Sequence, residues 1–289
     1  MRTITENAFA KLNLTLDIFP RREDGYHPLQ TVMQTVSLCD DVTISVCGGS
    51  RSLTCEWKQG FEGRELPQGV NNLCWKAADA FFARVGKEPE GLSIQIRKRI
   101  PMEAGLAGGS SDAAAVLRGL NTLMGEPLDP FTLAEIGAEV GSDVPFCVLS
   151  GTALCEGRGE KVTLLPPAPK LLIVLCKPNF GISTKALYEK IDSEDITDRP
   201  ENDAMVNAIC TGNIPQIGAL LKNTFEPLAM RDHPEIETIK NTMIFCGALG
   251  AQMTGSGSAV FGIFAKKEDA EAAAQALSGE NKTFLTVSV

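Results

Sequence analysis

A glycine-rich segment carries the strongest chemical signal in the sequence. It lies between a strand-like stretch with alternating apolar residues and an alanine-rich stretch with helical spacing. Glycine lets the backbone approach a bound group closely, and the first turn of a helix presents unpaired N–H groups with a partial positive charge. This combination predicts a phosphate-binding loop; the alternative is a flexible turn capped by Ser110 or Ser111. The segment consists of Pro101, Met102, Glu103, Ala104, Gly105, Leu106, Ala107, Gly108, Gly109, Ser110 and Ser111.

The segment differs from the two common nucleotide-binding patterns. A Walker loop requires a lysine after its last glycine, and Ser110 occupies that position in this chain. The G-x-G-x-x-G pattern does not fit either. Gly255 and Gly257 match its first two glycines, but valine occupies position 260, where the third glycine would stand. Taken alone, residues 254–258 are more typical of a hairpin turn, and they gain weight only beside the first loop.

Two charged side chains are candidates for chemistry. Lys11 and Asn13 lie two residues apart in a strand-like run over residues 8–19, so their side chains point to one face. Lys11 is then either an edge residue whose ammonium reaches water or a cation placed for function. Asp143 lies two residues before Pro145, where it either caps a helix or directs a carboxylate at a substrate hydroxyl.

The chain has two tyrosines, Tyr26 and Tyr188, beside 13 phenylalanines. Tyr26 and His27 follow Asp24 and Gly25 in a polar turn that we expect to be exposed. A tyrosine on such a turn can stack on a nucleobase while a neighbouring histidine bonds to the edge of the base. Ordinary packing is the alternative interpretation of both residues.

The composition limits the classes of function. Lys and Arg total 27 against 36 Asp and Glu, a net charge of −9 that disfavours a nucleic-acid partner. The apolar stretches are far shorter than the roughly 18 residues of a membrane helix, and the N-terminal residues do not resemble a signal peptide. Nine scattered cysteines predict reduced thiols and a cytoplasmic location, and two histidines argue against a multi-histidine metal centre.

The spacing of apolar residues predicts an α+β protein with two domains. In the first half it predicts strands over residues 8–19, 29–38, 41–46 and 92–96, and helices over 72–85, 112–124 and 132–140. In the second half it predicts strands over 171–176, 251–253, 259–264 and from 283, and helices over 184–191, 202–210, 214–221, 235–245 and 268–277. Glycines and prolines over residues 157–169 indicate a boundary near residue 155, which gives domains 1–154 and 155–289.

The candidate segments together resemble the motifs of the GHMP kinases. The three motifs of that family occur in order at Lys11–Leu16, Pro101–Ala115 and Gln252–Gly262. The resemblance implies the two-domain GHMP-kinase fold, with a ribosomal-protein-S5-like N-terminal domain and a ferredoxin-like C-terminal domain. In that fold the last strand of the chain is a candidate to return to the first domain.

The resemblance also implies the roles of the catalytic residues. Lys11 and Asp143 match the catalytic lysine and aspartate, and the loop from Pro101 to Ser111 matches the site of the ATP phosphates. Mg²⁺ is expected to accompany ATP, with Ser110 or Ser111 as its candidate contact. In this hypothesis Asp143 accepts or orients the proton of the acceptor hydroxyl, and Lys11 stabilises the negative charge on the attacking oxygen.

The segments Ala10–Asp17, Arg22–His27 and Leu29–Thr31 resemble a narrower branch of the family. Its substrate is a cytidine diphosphate-linked isoprenoid precursor that is phosphorylated on its C2 hydroxyl. The branch implies that Tyr26 and His27 contact cytosine, with Tyr188 on the other face of the base. It also implies that Asn13 and Thr184 lie near the accepting diol, and that Gly255, Ser256 and Gly257 border the phosphate and acceptor site.

Two residues of the first loop depart from the family pattern. Ala107 replaces a glycine that is common there, and its methyl group fits if its φ angle is negative. Glu103 brings an acid close to the expected phosphates, so its carboxylate must point away from them.

Three alternatives remain open. One is a GHMP kinase with a plain alcohol acceptor, which the segment from Asp24 to His27 disfavours. Another is a non-catalytic relative that binds a metabolite, which the presence of Lys11, Asp143 and both glycine segments disfavours. The third is an RNA-binding module, since the first domain resembles a ribosomal-protein fold; the net charge of −9 disfavours it.

Overall fold

A computed structural model of the chain describes residues 2–23, 25–194 and 196–289. These residues form two compact units, and each unit is built from several stretches of chain. The first unit comprises residues 2–10, Leu38–Met102 and Ala107–Ser150. The second comprises Lys11–Ser37, Glu103–Leu106 and Gly151–Val289. The division into domains 1–154 and 155–289 stays a prediction.

The helices and strands alternate irregularly along the chain. The strands are β1 (Arg2–Asn13), β2 (Thr15–Ile18), β3 (Leu29–Cys47), β4 (Ser52–Trp57), β5 (Gly91–Lys98), β6 (Thr152–Gly157), β7 (Lys161–Leu164), β8 (Leu172–Lys177), β9 (Lys222–Asn223), β10 (Ala248–Met253), β11 (Val260–Phe264) and β12 (Lys282–Val287). The helices are α1 (Leu73–Val85), α2 (Gly108–Leu123), α3 (Pro130–Val140), α4 (Val144–Leu149), α5 (Thr184–Ile191), α6 (Asn202–Cys210), α7 (Ile214–Ala219), α8 (Glu226–Asp232), α9 (Glu235–Phe245) and α10 (Lys267–Leu277). None of the helices in the described ranges combines the length and apolar character needed to cross a membrane.

In the first unit, strands of alternating polarity pair at the centre. β3 pairs antiparallel with β5 from Asp41 to Cys47, and β4 pairs parallel with the same strand. Val42, Ile44, Leu92, Ile94 and Ile96 bury every second side chain, as the period of a strand requires. The strands predicted over residues 29–38 and 41–46 are thus one continuous strand.

Helices α1 to α4 pack against one another in the same unit. α1 begins where the side chain of Asn72 accepts a hydrogen bond from the N–H of Cys74, and it ends at Gly86 in the left-handed region. α2 is buried along most of its length, with small alanines that let its neighbours approach closely. This close packing fixes the first turn of α2, to which the glycine-rich loop leads.

A buried group of three charges lies at the end of β5. The Lys98 ammonium donates to Oδ2 of Asp40 and to Oδ2 of Asp112, each at 2.5 Å. Asp40 is further satisfied by the backbone N–H groups of Arg99 and Ile100. By contrast, Oδ1 of Asp112 is buried and has no hydrogen-bond partner among the described residues. Two carboxylates therefore share one ammonium, and Asp112 is the less well satisfied.

Burial raises the pKa of Asp112 to about 7; the Lys98 ammonium opposes this shift and the Asp40 carboxylate reinforces it. Burial acts on Lys98 in the other direction, but the two carboxylates outweigh it and raise the pKa of Lys98. Because an unfolded aspartate titrates near pH 4, the folded chain binds more protons than the unfolded chain between about pH 4 and 7. Ionisation of Asp112 therefore removes stability as the pH rises through this window.

We predict that Asp112→Asn stabilises the protein at pH 8 by about 1–3 kcal/mol, because it removes one buried charge and retains an acceptor for Lys98. Urea unfolding between pH 4.5 and 8 should also show a weaker dependence on pH than in the wild type. Asp40→Asn is the matched control, and it should destabilise because Asp40 is fully paired. Destabilisation of Asp112→Asn at every pH would contradict this description.

The second unit contains a four-stranded antiparallel sheet in the order β10–β11–β8–β12. Helices α9 and α10 pack on it, and Phe264, Met243, Leu277 and Ile236 belong to its apolar core. The final strand β12 pairs with β8 along its length, and Ser288 beyond it bridges to Val36. Elsewhere in the unit, β2 lies between β3 and β9, and β6 joins β3 to β7.

Candidate active site

The Lys11 side chain is buried at the end of β1, with only 4% of the residue exposed. Its ammonium donates to Oδ1 of Asn13 at 2.7 Å and to the carbonyl oxygen of Gly105 at 2.8 Å. Both partners are neutral, and among the described residues no carboxylate forms an ion pair with Lys11. A buried charge without an opposite charge is unfavourable unless a ligand compensates it. The structure thus favours the placed cation over the edge residue.

Asn13 fixes Lys11 rather than facing solvent. Its Oδ1 accepts from Lys11, its Nδ2 donates to Oγ1 of Thr31 at 2.9 Å, and its backbone N–H donates to Oγ1 of Thr254 at 3.1 Å. Gln252 donates to the backbone oxygen of Asn13 at 2.9 Å. The side chain of Asn13 is therefore committed within the protein, and its predicted place near the accepting diol stays a prediction.

The backbones of the two glycine segments meet beside Lys11. A Cβ atom on Gly105 would lie 2.1 Å from the carbonyl oxygen of Thr254, so only glycine fits there. A Cβ on Gly255 would lie 3.3 Å from the Lys11 ammonium. Residues 254–258 are therefore more than a simple hairpin turn, because Gly255 borders the ammonium.

Asn223 was not singled out from the sequence, although it holds this second segment. Its Nδ2 donates to the carbonyl oxygens of Met253 and Gly255 at 2.7 and 2.8 Å, and its Oδ1 accepts from the N–H of Phe225. The side chain is buried and fully used. Nothing in the local sequence distinguishes this asparagine from a surface one, because its partners come from a distant stretch of chain.

The start of α2 differs from the prediction. The helix begins at Gly108 rather than Asp112, and Ala107 precedes it with a φ angle of +57°. The condition of a negative φ at Ala107 is therefore not met, and a left-handed alanine costs about 1–2 kcal/mol relative to glycine. Glu103 also has a positive φ of 50°, and its carboxylate lies against Gly181.

The two serines at the start of α2 have different environments. The hydroxyl of Ser111 donates to the carbonyl oxygen of Phe9 at 2.6 Å, and the residue is buried. Ser110 is partly exposed. Of the two candidates for Mg²⁺, Ser110 is the more exposed residue. Within the described residues, no group of three or more His, Cys, Asp or Glu side chains could hold a metal ion.

Asp143 occupies the N-cap position of α4, but its side chain makes no capping hydrogen bond. The residue is half-buried, and its carboxylate has no ion-pair partner in the part of the chain that the structure describes. A capping role therefore does not explain the carboxylate, which leaves the catalytic interpretation as a proposal.

The side chains of Thr184 and Ser256 contact each other. Their hydroxyl oxygens lie 2.7 Å apart, and Thr184 is the first residue of α5. This contact joins the second glycine segment to the start of the helix that carries Tyr188.

The aromatic residues form a cluster with His27. The rings of His27 and Tyr188 lie 5.1 Å apart, and Tyr188 meets Phe225 edge-on at 5.0 Å. Tyr26 is 56% exposed, and the guanidinium of Arg158 lies 5.4 Å from the centre of its ring. The contacts of these residues with cytosine stay predictions, and Asp24 of the same turn lies outside the described residues.

Comparison with known proteins gives a consistent result. Residues 72–151 match the model of the GHMP kinases N terminal domain, and residues 205–282 match that of the GHMP kinases C terminal domain. The 4-diphosphocytidyl-2-C-methyl-D-erythritol kinase of Caldicellulosiruptor saccharolyticus is 47% identical over 93% of this chain and 91% of its own. The enzyme of the same name from Acetivibrio thermocellus is 39% identical over 100% of both chains.

A solved structure agrees with these relatives. The crystal structure of 4-(cytidine 5'-diphospho)-2C-methyl-D-erythritol kinase matches with a TM-score of 0.83 and 32% identity, over 99% of this chain and 100% of that chain. The chain therefore belongs to the GHMP kinase family. Within that family, both of these relatives and this solved structure are kinases of one cytidine diphosphate-linked alcohol. The predictions of the family, of the two-domain α+β fold and of a kinase are confirmed.

We predict that Ala107→Gly stabilises the protein by about 0.5–1 kcal/mol, because relief of the left-handed strain exceeds the added entropy of the unfolded chain. Urea unfolding gives the measurement. Ala272→Gly on the exposed face of α10 is the matched control, and it should destabilise by about 1 kcal/mol. If both exchanges destabilise equally, Ala107 is not strained.

Proposed function

We propose that the chain transfers the γ-phosphoryl group of ATP to the C2 hydroxyl of 4-diphosphocytidyl-2-C-methyl-D-erythritol. This is a step in the non-mevalonate synthesis of isoprenoid precursors. The named relatives and the aromatic segment around Tyr26 support the choice of substrate. The observation that carries the proposed chemistry is the buried Lys11 ammonium, whose hydrogen-bond partners among the described residues are neutral.

The environment of Lys11 suits phosphoryl transfer. During the reaction, negative charge is spread over the transferred group and the attacking oxygen, and a preorganised cation stabilises that charge. Asn13 and Gly105 orient the ammonium through two hydrogen bonds, so one N–H of Lys11 remains for the reacting group. A lysine held in this way needs no reorganisation at the moment of reaction.

Asp143 is the proposed partner of Lys11 in the reaction. Its carboxylate would accept the proton of the C2 hydroxyl, or orient that hydroxyl as it attacks the γ-phosphorus. A carboxylate that makes no capping hydrogen bond, as at the start of α4, is available for this task.

The glycine-rich loop is the proposed site of the ATP phosphates. The N–H groups of the first turn of α2 and the glycines around it suit oxyanions. Mg²⁺ would accompany ATP, with Ser110 as its contact, and would neutralise part of the phosphate charge.

Tyr26, His27 and Tyr188 form the proposed cytidine site. Thr184 and the segment from Gly255 to Gly257 would then border the erythritol end of the substrate, where Thr184 meets Ser256. The proposal includes a cytoplasmic location, which nine free cysteines support.

We predict that Asp143→Asn lowers the single-turnover rate at least about a hundredfold, because it removes a positioned base. Its stability should stay close to that of the wild type, since the carboxylate caps nothing. Asp129→Asn is the matched control: Asp129 is the N-cap of α3, and asparagine caps equally well, so its rate should not change. A rate for Asp143→Asn within threefold of the wild type would refute the assignment.

We also predict that Tyr26→Ala raises KM for the cytidine substrate about 5- to 150-fold while KM for ATP stays unchanged. The expected change corresponds to about 1–3 kcal/mol of lost stacking. Tyr26→Phe retains the ring and should behave like the wild type in steady-state kinetics. An equal loss for ATP would mean that Tyr26 belongs to the other nucleotide site.

A further inference from the structure

His27 is fixed through both nitrogens of its buried ring. Nδ1 lies 2.9 Å from the carbonyl oxygen of Phe19, and Nε2 lies 3.1 Å from Oδ1 of Asp192. The contact with Phe19 has the geometry of a hydrogen bond, and the contact with Asp192 has the distance of an ion pair. Both edges of the ring therefore face oxygen atoms of the protein.

This commitment changes the part that His27 can play. Both ring nitrogens of His27 already lie against protein oxygens, so neither is directed at the edge of a base. The contacts instead favour a ring that the protein holds in place. Of the two groups that face its nitrogens, one is a backbone carbonyl and the other is the side chain of Asp192.

Asp192 is placed by the helix that also carries Tyr188. It follows α5 directly as the C-cap residue, four positions after Tyr188. The ring of Tyr188 packs on His27 at 5.1 Å with a tilt of 34°. One helix end thus supplies both the aromatic ring and the carboxylate that hold His27, so the turn before His27 and the end of α5 are fixed together.

A second cation approaches the same carboxylate. The guanidinium of Arg21 lies 3.9 Å from Oδ2 of Asp192, whereas Oδ1 faces His27. Arg21 also donates to the carbonyl oxygen of Gly25 at 2.8 Å, within the turn that leads to Tyr26. Asp192 is therefore tied to both ends of this turn, through Arg21 before it and His27 after it.

We propose that Asp192 is a positioning residue for recognition of the cytidine moiety, and that it acts by holding His27 and the turn that carries Tyr26. This inference rests on the proposed function. Asp192 itself is not required to touch the substrate. Its loss should therefore affect binding of the cytidine substrate and leave the phosphoryl-transfer step and ATP unaffected.

The test is a double-mutant cycle on the full chain with Asp192→Ala and His27→Ala, read by steady-state kinetics. We expect Asp192→Ala to raise KM for the cytidine substrate about tenfold, because His27 loses the carboxylate that faces its Nε2. Both kcat and KM for ATP should stay within twofold of the wild type. The double variant should be less impaired than the sum of the two single effects predicts, because Asp192 acts largely through His27.

The control is Asp232→Ala. It removes an exposed carboxylate of α8 that pairs with Lys190 of α5, the helix that Asp192 follows. It should leave KM for the cytidine substrate unchanged. The inference is overturned if Asp192→Ala behaves like Asp232→Ala, or if the effects of Asp192→Ala and His27→Ala simply add. Should Asp192→Ala not fold, Asp192→Ser gives the same cycle, since its short hydroxyl does not reach His27.

Failure of the proposed function has a different signature. In that case the wild-type protein would not phosphorylate the cytidine substrate at all. A wild type that turns over this substrate, together with a normal KM in Asp192→Ala, would contradict only the role of Asp192.

Discussion

Lys11 carries a positive charge into a buried position where neutral oxygens of Asn13 and Gly105 are its hydrogen-bond partners. Much of the surrounding structure follows from holding that charge. Gly105 must be glycine because the backbone of Thr254 approaches it closely, and Gly255 must leave space beside the ammonium. Asn13 uses its whole amide group on this arrangement. An ammonium surrounded in this way is unfavourable until an anion completes its environment, and the proposed phosphoryl transfer would supply that anion.

In the first unit, two features near the start of α2 lower the stability of the folded protein. Ala107 is held in a left-handed conformation, and Asp112 keeps a buried oxygen without a partner among the described residues. Each feature is unfavourable for the folded protein taken alone. Both lie at the helix end that we propose for the ATP phosphates, and strain of this kind persists where the surrounding structure fixes a functional backbone.

Local signals predicted much of the fold, whereas tertiary contacts decided the rest. The helix over residues 72–85 was predicted closely because Asn72 caps it and its apolar spacing is regular. The start of α2 was wrong by four residues, because glycines at its first turn weaken the helical signal although neighbouring helices hold them. The roles of Asn223 and Asp192 were not found, since an isolated asparagine or aspartate gives no sign of a distant partner. The roles of Lys11 and of the glycine-rich loop were predicted from the resemblance to a known family. The residue types and their spacing alone would not have given these roles.

The most direct test of the role of Lys11 is to measure unfolding and single turnover on Lys11→Met. Methionine retains an unbranched chain without the charge. The unfolding free energy of the unliganded variant should stay within about 1 kcal/mol of the wild type, because two lost hydrogen bonds are offset by removal of a buried charge. The single-turnover rate should fall at least about a hundredfold. A loss of several kcal/mol in stability that parallels the loss of activity, or a near-normal rate, would contradict this role.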